Sequence, residues 1–354
     1  MKLMPKKAFA LLSTLAIITA LSSGVVSANA EDQGREQNNS QNSDKSKNSE
    51  LASTYDSRYW GTPTKDIKNS RDQEEYDRAQ QGIPGIEVAH SEVFGAFQGR
   101  QGASLVPLGS GDLIDHGGPV LSEVHVYPIF WGPTSTTFSA SYQSSISSFF
   151  QAIQCGSGTS TPTCGGHADL AKQYFHSAPA AIKFGRAFTD TSAPPKSSPS
   201  TSSIVAEAAK VIKASGSSID PLGLYMVFTS NFPARTGYCA WHSAGSYKAT
   251  TKSVASWFAV AYMPFVGTTA GCSAANIPGY IAKTSPAVDS VINVTTHELF
   301  EAMTDSLLGN RSAWYDSAGY ENGDKCAWNF GSTMNGYRVQ SEYDNVKHGC
   351  PDLQ

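Results

Sequence analysis

The sequence carries no G-x-S-x-G turn, no glycine-rich phosphate loop and no G-x-G-x-x-G fingerprint. Serine-nucleophile, phosphate-loop and dinucleotide-binding chemistries therefore have no motif to start from. It has no C-x-x-C pair and no cysteine before Cys155, which argues against thiolate zinc ligation and leaves the first third of the chain unstapled. No internal repeat occurs. Beyond residue 30 no apolar run approaches the roughly 20 residues of a membrane span, so none is expected. Charge is also in short supply. Lys2, Lys6 and Lys7 are the only ionised side chains among residues 1–30, and the remainder carries 23 basic against 30 acidic residues. That mildly acidic balance argues against nucleic acid and anionic membranes as partners.

The three lysines precede an apolar stretch from Ala8 to Leu21, and Ala28 and Ala30 then form an A-x-A site. This layout predicts a secretory signal peptide over residues 1–30 and a secreted, extracellular protein. In an exported chain, the six cysteines predict three disulfides. Of the fifteen pairings open to six cysteines, the sequential one closes the shortest loops: Cys155–Cys164, Cys239–Cys272 and Cys326–Cys350.

Residues 31–52 hold too few apolar side chains to offset their ordering entropy and read as a disordered tail. Up to residue 112 the chain reads as a pro-region or arm, with a short helix at RDQEEYDRAQQ. A single packed domain is expected over 113–354. Alternation and β-branched residues predict a strand from Glu123 to Trp131, with Pro128 suited to an edge or a bulge. Helical spacing follows at Tyr142, Ile146, Phe149, Phe150 and Ile153, and again at ADLAKQYF. Strands are predicted at AAIKFGRAF, GLYMVFTSNF and SWFAVAYMPF. A helix over about 203–214 buries Ile204, Ala208, Val211 and Ile212. The segment GYCAWHSAG reads as a loop, which offers His242 as a substrate contact or an ordinary surface histidine. Together these predict an α/β fold, a layered mixed sheet with helices, stapled by disulfides.

The segment THELFEAMTD lies within a helix predicted from Val291 to Thr304. Four residues separate His297 from Glu301, so both sit on one face, while Glu298 is turned about 100° away. Metallohydrolases place two ligands at this spacing and use the intervening glutamate on water. Here a glutamate stands where the second histidine of His-Glu-x-x-His would be. An ordinary amphipathic helix with Val294, Leu299, Ala302 and Met303 inward and some of these polar groups in solvent is the plainer alternative. Downstream, WYDSAGYENGDKCAW adds Glu321, 20 residues past Glu301 as in gluzincins, and Asp324 as the next candidate ligand. Asp305 ends the helix, where a negative charge needs a partner, and is expected to orient His297 or to pair with a neighbouring loop. The expectation is a zincin-like core with His297, Glu301, and Glu321 or Asp324 holding zinc. The hard, carboxylate-rich set leaves manganese or calcium open. Glu298 would then be the general base of a metal-dependent hydrolase, with a polypeptide as the expected substrate. The alternative is a non-catalytic module with a structural metal or acidic site.

The segments GGPVLSEVHVYPIFWG, GYCAWH, THELFEAMTD and AWYDSAGYENGDKCAW, in this order, resemble the phosphate-induced protein 1 (Exordium-like) family, in its bacterial and fungal branch. The resemblance covers roughly residues 117–354. It implies a secreted protein of shared fold, and in the plant members it implies a link to growth regulation. The His-Glu-x-x-Glu pattern is where this chain departs from the plant members.

Protein collected from culture medium is expected to begin at or close to Glu31 and to show no free thiol when denatured without reductant. N-terminal sequencing and alkylation mass spectrometry check both points, and six alkylated cysteines would contradict them.

Overall fold

The computed structural model describes residues 111–354 except 234–237, 248–255, 270, 278 and 308–311, together with the backbone of Ile86–Val88. The expected signal peptide (residues 1–30), the tail at 31–52 and the helix at RDQEEYDRAQQ lie outside the described residues. In the expected arm, Ile86–Val88 forms strand β1. Leu113, the expected start of the packed domain, is buried.

One mixed sheet organises the domain. Its strands are β1, β3 (Glu123–Trp131), β4 (Ala181–Phe184), β5 (Phe188–Asp190), β6 (Gly223–Thr229), β7 (Trp241–Tyr247) and β8 (Ser256–Met263), ordered β1-β7-β8-β6-β3-β4, with β5 also pairing β3. Pairing is parallel from β8 through β6 and β3 to β4 and β5. It is antiparallel between β8 and β7 and between β7 and β1. The short pair β2 (Ile114–Asp115) and β9 (Trp314–Tyr315) stands apart, as does the hairpin β10 (Ser332–Met334) and β11 (Tyr337–Val339).

Side-chain alternation gives the sheet two cores. On one face Val124, Val126, Leu224, Met226, Ala259 and Ala261 pack with α1 (Ala140–Ala152), α2 (Gly166–Ala171) and α4 (Pro286–Thr304). On the other, Ile129, Tyr225, Val227, Phe258 and Val260 meet α3 (Thr201–Ala214) through Ile204, Ala208, Val211 and Ile212. Burial on both faces accounts for the nearly continuous apolar runs of β6 and β8. The predicted apolar positions of α1 and α3 are the ones that pack.

Two expectations are corrected. Strand β3 is interior, although Pro128 suggested an edge. His125 N donates to Leu222 O on the β6 side, whereas Val126 O accepts from Gly185 N on the other. By this parity Pro128 turns its nitrogen, which has no hydrogen, toward the break between Phe184 and Phe188, where β4 has ended and β5 has not begun. The missing donor falls where the sheet has a gap. The second correction is the part of GYCAWHSAG from Trp241 onward, which is not a loop: Trp241–Tyr247 is strand β7, paired along its whole length with β8.

Helix α4 is longer than predicted. Ser285 accepts from Val288 N as its N-cap and Pro286 occupies the first turn, a start signal that adds more than a turn before Val291. Every residue from Val288 to Thr304 is buried, so this is a central helix and not an amphipathic one with a wet face. All three disulfides join cysteines in sequence order: Cys155–Cys164, Cys239–Cys272 and Cys326–Cys350. They fit an extracellular protein. Among the described residues no helix is long and apolar enough to cross a membrane.

Cys326 closes α5 (Asn322–Lys325), a single helical turn, and Cys350 anchors it to the end of the chain. The double variant Cys326→Ser/Cys350→Ser is expected to lose about 2–4 kcal/mol of stability. Denaturant unfolding checks this, and a midpoint equal to wild type would show that the bond does not hold α5 in place.

Candidate metal centre

The C-terminal half of α4 packs against β7, β8, β11 and α5 and directs three ionisable side chains into that contact. The i, i+4 spacing brings His297 Nε2 to 3.0 Å from Glu301 Oε1. Asp324, on α5, joins them with its Oδ1 3.7 Å from His297 Nε2, while its backbone N–H donates to Glu301 Oε1 at 2.9 Å. The turn approaches this closely because residue 323 is glycine. A Cβ there would lie 2.8 Å from His297 Nδ1 and 3.0 Å from Glu301 Oε1. Gln340, just past β11, braces the ring's far side. Its Nε2 touches His297 Nδ1 and donates to Gly323 O at 3.1 Å, and its backbone N–H donates to Asn293 Oδ1 on α4 at 2.9 Å.

A second histidine enters from the sheet. His242 pairs with Ala261 in the β7–β8 register and so points to the α4 face, opposite a side chain small enough to leave room. Its Nδ1 lies 3.4 Å from Glu298 Oε2 and 3.6 Å from Glu301 Oε2. Its Nε2 lies 3.2 Å from Asp305 O and 3.6 Å from Glu321 Oε1. Two groups therefore have the spacing to hold a metal ion: His242, Glu298 and Glu301, and His297, Glu301 and Asp324.

The predicted residues converge, but in a different arrangement. Of the two candidates for a third ligand, Asp324 meets the His297–Glu301 pair, whereas Glu321 stands on the His242 side. Asp305 was expected to orient His297 or to pair with a neighbouring loop. Its carbonyl faces His242 instead, and its carboxylate accepts from Ala313 N at 2.7 Å. His242 is neither in a loop nor at the surface; it is fully buried in a strand. Trp241, His242, Ser243 and Ala244 show no apolar–polar alternation, so the inward face of His242 is set by the pairing with β8. Glu342 and Gln340 had no motif to single them out.

Burial sets the electrostatics. Glu298, Glu301, Asp305, Glu321, Asp324 and Glu342 are six carboxyl groups at 0% exposure, against His242 and His297, also at 0%. Desolvation pushes Glu321, Asp324 and Glu342 well above the usual carboxylate range, and it lifts Asp305 to about 8. Glu301 goes the other way, to about 2: burial opposes its ionisation, but His297 and His242 outweigh that cost. Burial also works against a charged His297, yet Glu301 raises it to about 10.

Among the described residues, Glu301 Oε2, His297 Nε2 and both carboxylate oxygens of Glu321, Asp324 and Glu342 are buried without a hydrogen-bond partner. Unpaired buried polar atoms are costly. The last turn of α4, at the negative end of the helix dipole, contains no basic residue. Mixed imidazole and carboxylate donors, orphaned and facing one another, fit a divalent cation. No protein-family model, curated protein or solved structure matches the chain.

Gly323→Ala is expected to leave the fold in place but to push His297 and Glu301 apart, lowering affinity for zinc by about 10–100-fold. Titration calorimetry on metal-stripped protein reads the difference. Unchanged affinity would mean that the close approach of α5 does not shape the centre.

Proposed function

We propose that this protein is a secreted metal-dependent hydrolase with a zincin-like core, acting on polypeptides and using zinc, with manganese or calcium as the alternative cation. The observation that carries this reading is the turn of α4 on which His297 and Glu301 face each other at 3.0 Å, with Glu298 between them in sequence. His297, Glu301 and Asp324 would hold the cation. When bound, the cation supplies Lewis acidity, activating water and polarising a scissile carbonyl. Glu298 is raised above the usual carboxylate range by burial, an effect that His242 moderates. A carboxylate raised in this direction holds a proton more readily than a free one, as a group that takes a proton from water and returns it to a leaving amine must. The Gln340 contact at His297 Nδ1 fixes the ring, and Asp305 O does the same for His242.

A second reading is favoured by one observation: every carboxylate and imidazole of the centre is at 0% exposure. A sealed cluster suits a structural cation in a non-catalytic, Exordium-like extracellular module.

Glu298→Gln separates the two. The amide matches the carboxylate in size but accepts no proton. The variant is expected to keep the fold and the cation at His297, Glu301 and Asp324 while losing hydrolysis of an unfolded protein substrate by about 10²–10⁴-fold. His297→Ala is expected to lose that cation. Elemental analysis, thermal midpoint and proteolysis assays are read together. Wild type that holds metal tightly and cleaves nothing makes the structural module the better account. Wild type that holds no metal after reconstitution overturns both metal readings.

A further inference from the structure

We infer that the centre takes two divalent cations, not one, with Glu301 as the bridge between them. This rests on the metal-binding reading above and extends it. The two candidate ligand groups share one residue, Glu301, and its two oxygens face different histidines. Oε1 lies 3.0 Å from His297 Nε2 and Oε2 lies 3.6 Å from His242 Nδ1. A carboxylate turned this way spans two ions in the manner of centres whose cations sit about 3.5–4 Å apart. The first position is completed by Asp324; the second group also contains Glu298, whose Oε2 faces His242 and would ligate there while its other oxygen keeps the proton-accepting role.

On the sheet side, His242 is set up to ligate through the nitrogen that faces Glu301. Asp305 O stands 3.2 Å from His242 Nε2, so the ring donates there and leaves Nδ1 free to ligate, the outer support that metal-bound imidazoles commonly have. On the other ring it is Nε2, the atom between Glu301 and Asp324, that is buried without a partner. Charge points the same way. One dication leaves four of the six buried carboxylates to be neutralised by protons or imidazolium, whereas two leave only two. Nearly all donors other than the imidazoles are oxygens, which suits manganese as a probe.

The test uses the mature, disulfide-bonded chain, stripped with chelator, reloaded with Mn²⁺ and desalted. Manganese per chain is measured by elemental analysis, and electron paramagnetic resonance reads whether the ions are coupled. Wild type is expected to hold two ions per chain with a spin-coupled spectrum. His242→Gln and His297→Gln are each expected to hold one, with the spectrum of an isolated ion. Glu301→Gln is expected to lose the coupling. Circular dichroism and thermal midpoint confirm that each variant is folded, and if a variant fails to fold the wild-type stoichiometry and spectrum still decide. One uncoupled ion per wild-type chain at saturation overturns the bridge while leaving the single-cation centre standing. No bound manganese or zinc at all removes both. Two ions that stay uncoupled also overturn the bridge, because Glu301 would not then connect them.

Discussion

The arrangement of this domain turns on the burial of anions at the negative end of a helix. Glu298, Glu301 and Asp305 lie on or just past the last two turns of α4, at 0% exposure, with no basic residue in the last turn. Desolvation and the helix dipole both oppose negative charge there. The neighbouring segments deepen the problem by adding Glu321, Asp324 and Glu342. Two imidazoles cannot balance six carboxylates, so the cluster is stable only if protons or cations enter it.

The scaffold delivers these groups from separate parts of the chain. Helix α4 crosses the sheet on the face where β7 and β8 present Ala244, Ala259 and Ala261, small side chains that let the helix come close. β7 then contributes His242 from the same row. The α5 turn comes close enough for Asp324 N to donate to Glu301 because Gly323 has no Cβ and because the Cys326–Cys350 bond ties the turn to the chain end. The segment after β11 closes the other side with Gln340. The helix pair and its other contributors lie in separate elements, so the complete centre forms only when the tertiary fold forms.

Much of the layering was legible because burial imposes periodicity. The strand at Glu123–Trp131 and the stripes of α1 and α3 follow from alternation and from 3.6-residue spacing. The sequential disulfides follow from loop length. His297, Glu298 and Glu301 could be named because a helix brings residues four apart together whatever surrounds it. The failures share a cause. His242 lies between a cysteine and a run of small residues, so β7 offers little β-propensity, and its place is set by pairing with β8, which is tertiary information. Pro128 read as an edge signal because the break between β4 and β5 cannot be seen from within β3. The choice between Glu321 and Asp324 depends on how a single turn of helix is oriented, and spacing from Glu301 does not determine that.

Other buried acids in the same domain show that the centre is not a general habit of this chain. Asp289, in the first turn of α4, accepts from Lys283 N at 2.8 Å, from Thr284 N at 3.1 Å and from the Tyr280 hydroxyl. It also sits at the positive end of the helix dipole. Asp316 is met by Lys325 Nζ at 2.8 Å, both side chains being almost fully buried, and the backbone N–H groups of Ala318 and Tyr320 complete its shell. Where a buried carboxylate has only a structural duty, then, this protein surrounds it with amides, a hydroxyl or a lysine. Asp324 is next in sequence to that lysine, yet the ammonium goes to Asp316, and both side-chain oxygens of Asp324 face the centre without a donor. A lysine turned inward there would neutralise the acid and fill the space. Its direction toward Asp316 leaves Asp324 beside His297 and Glu301 without an ammonium partner.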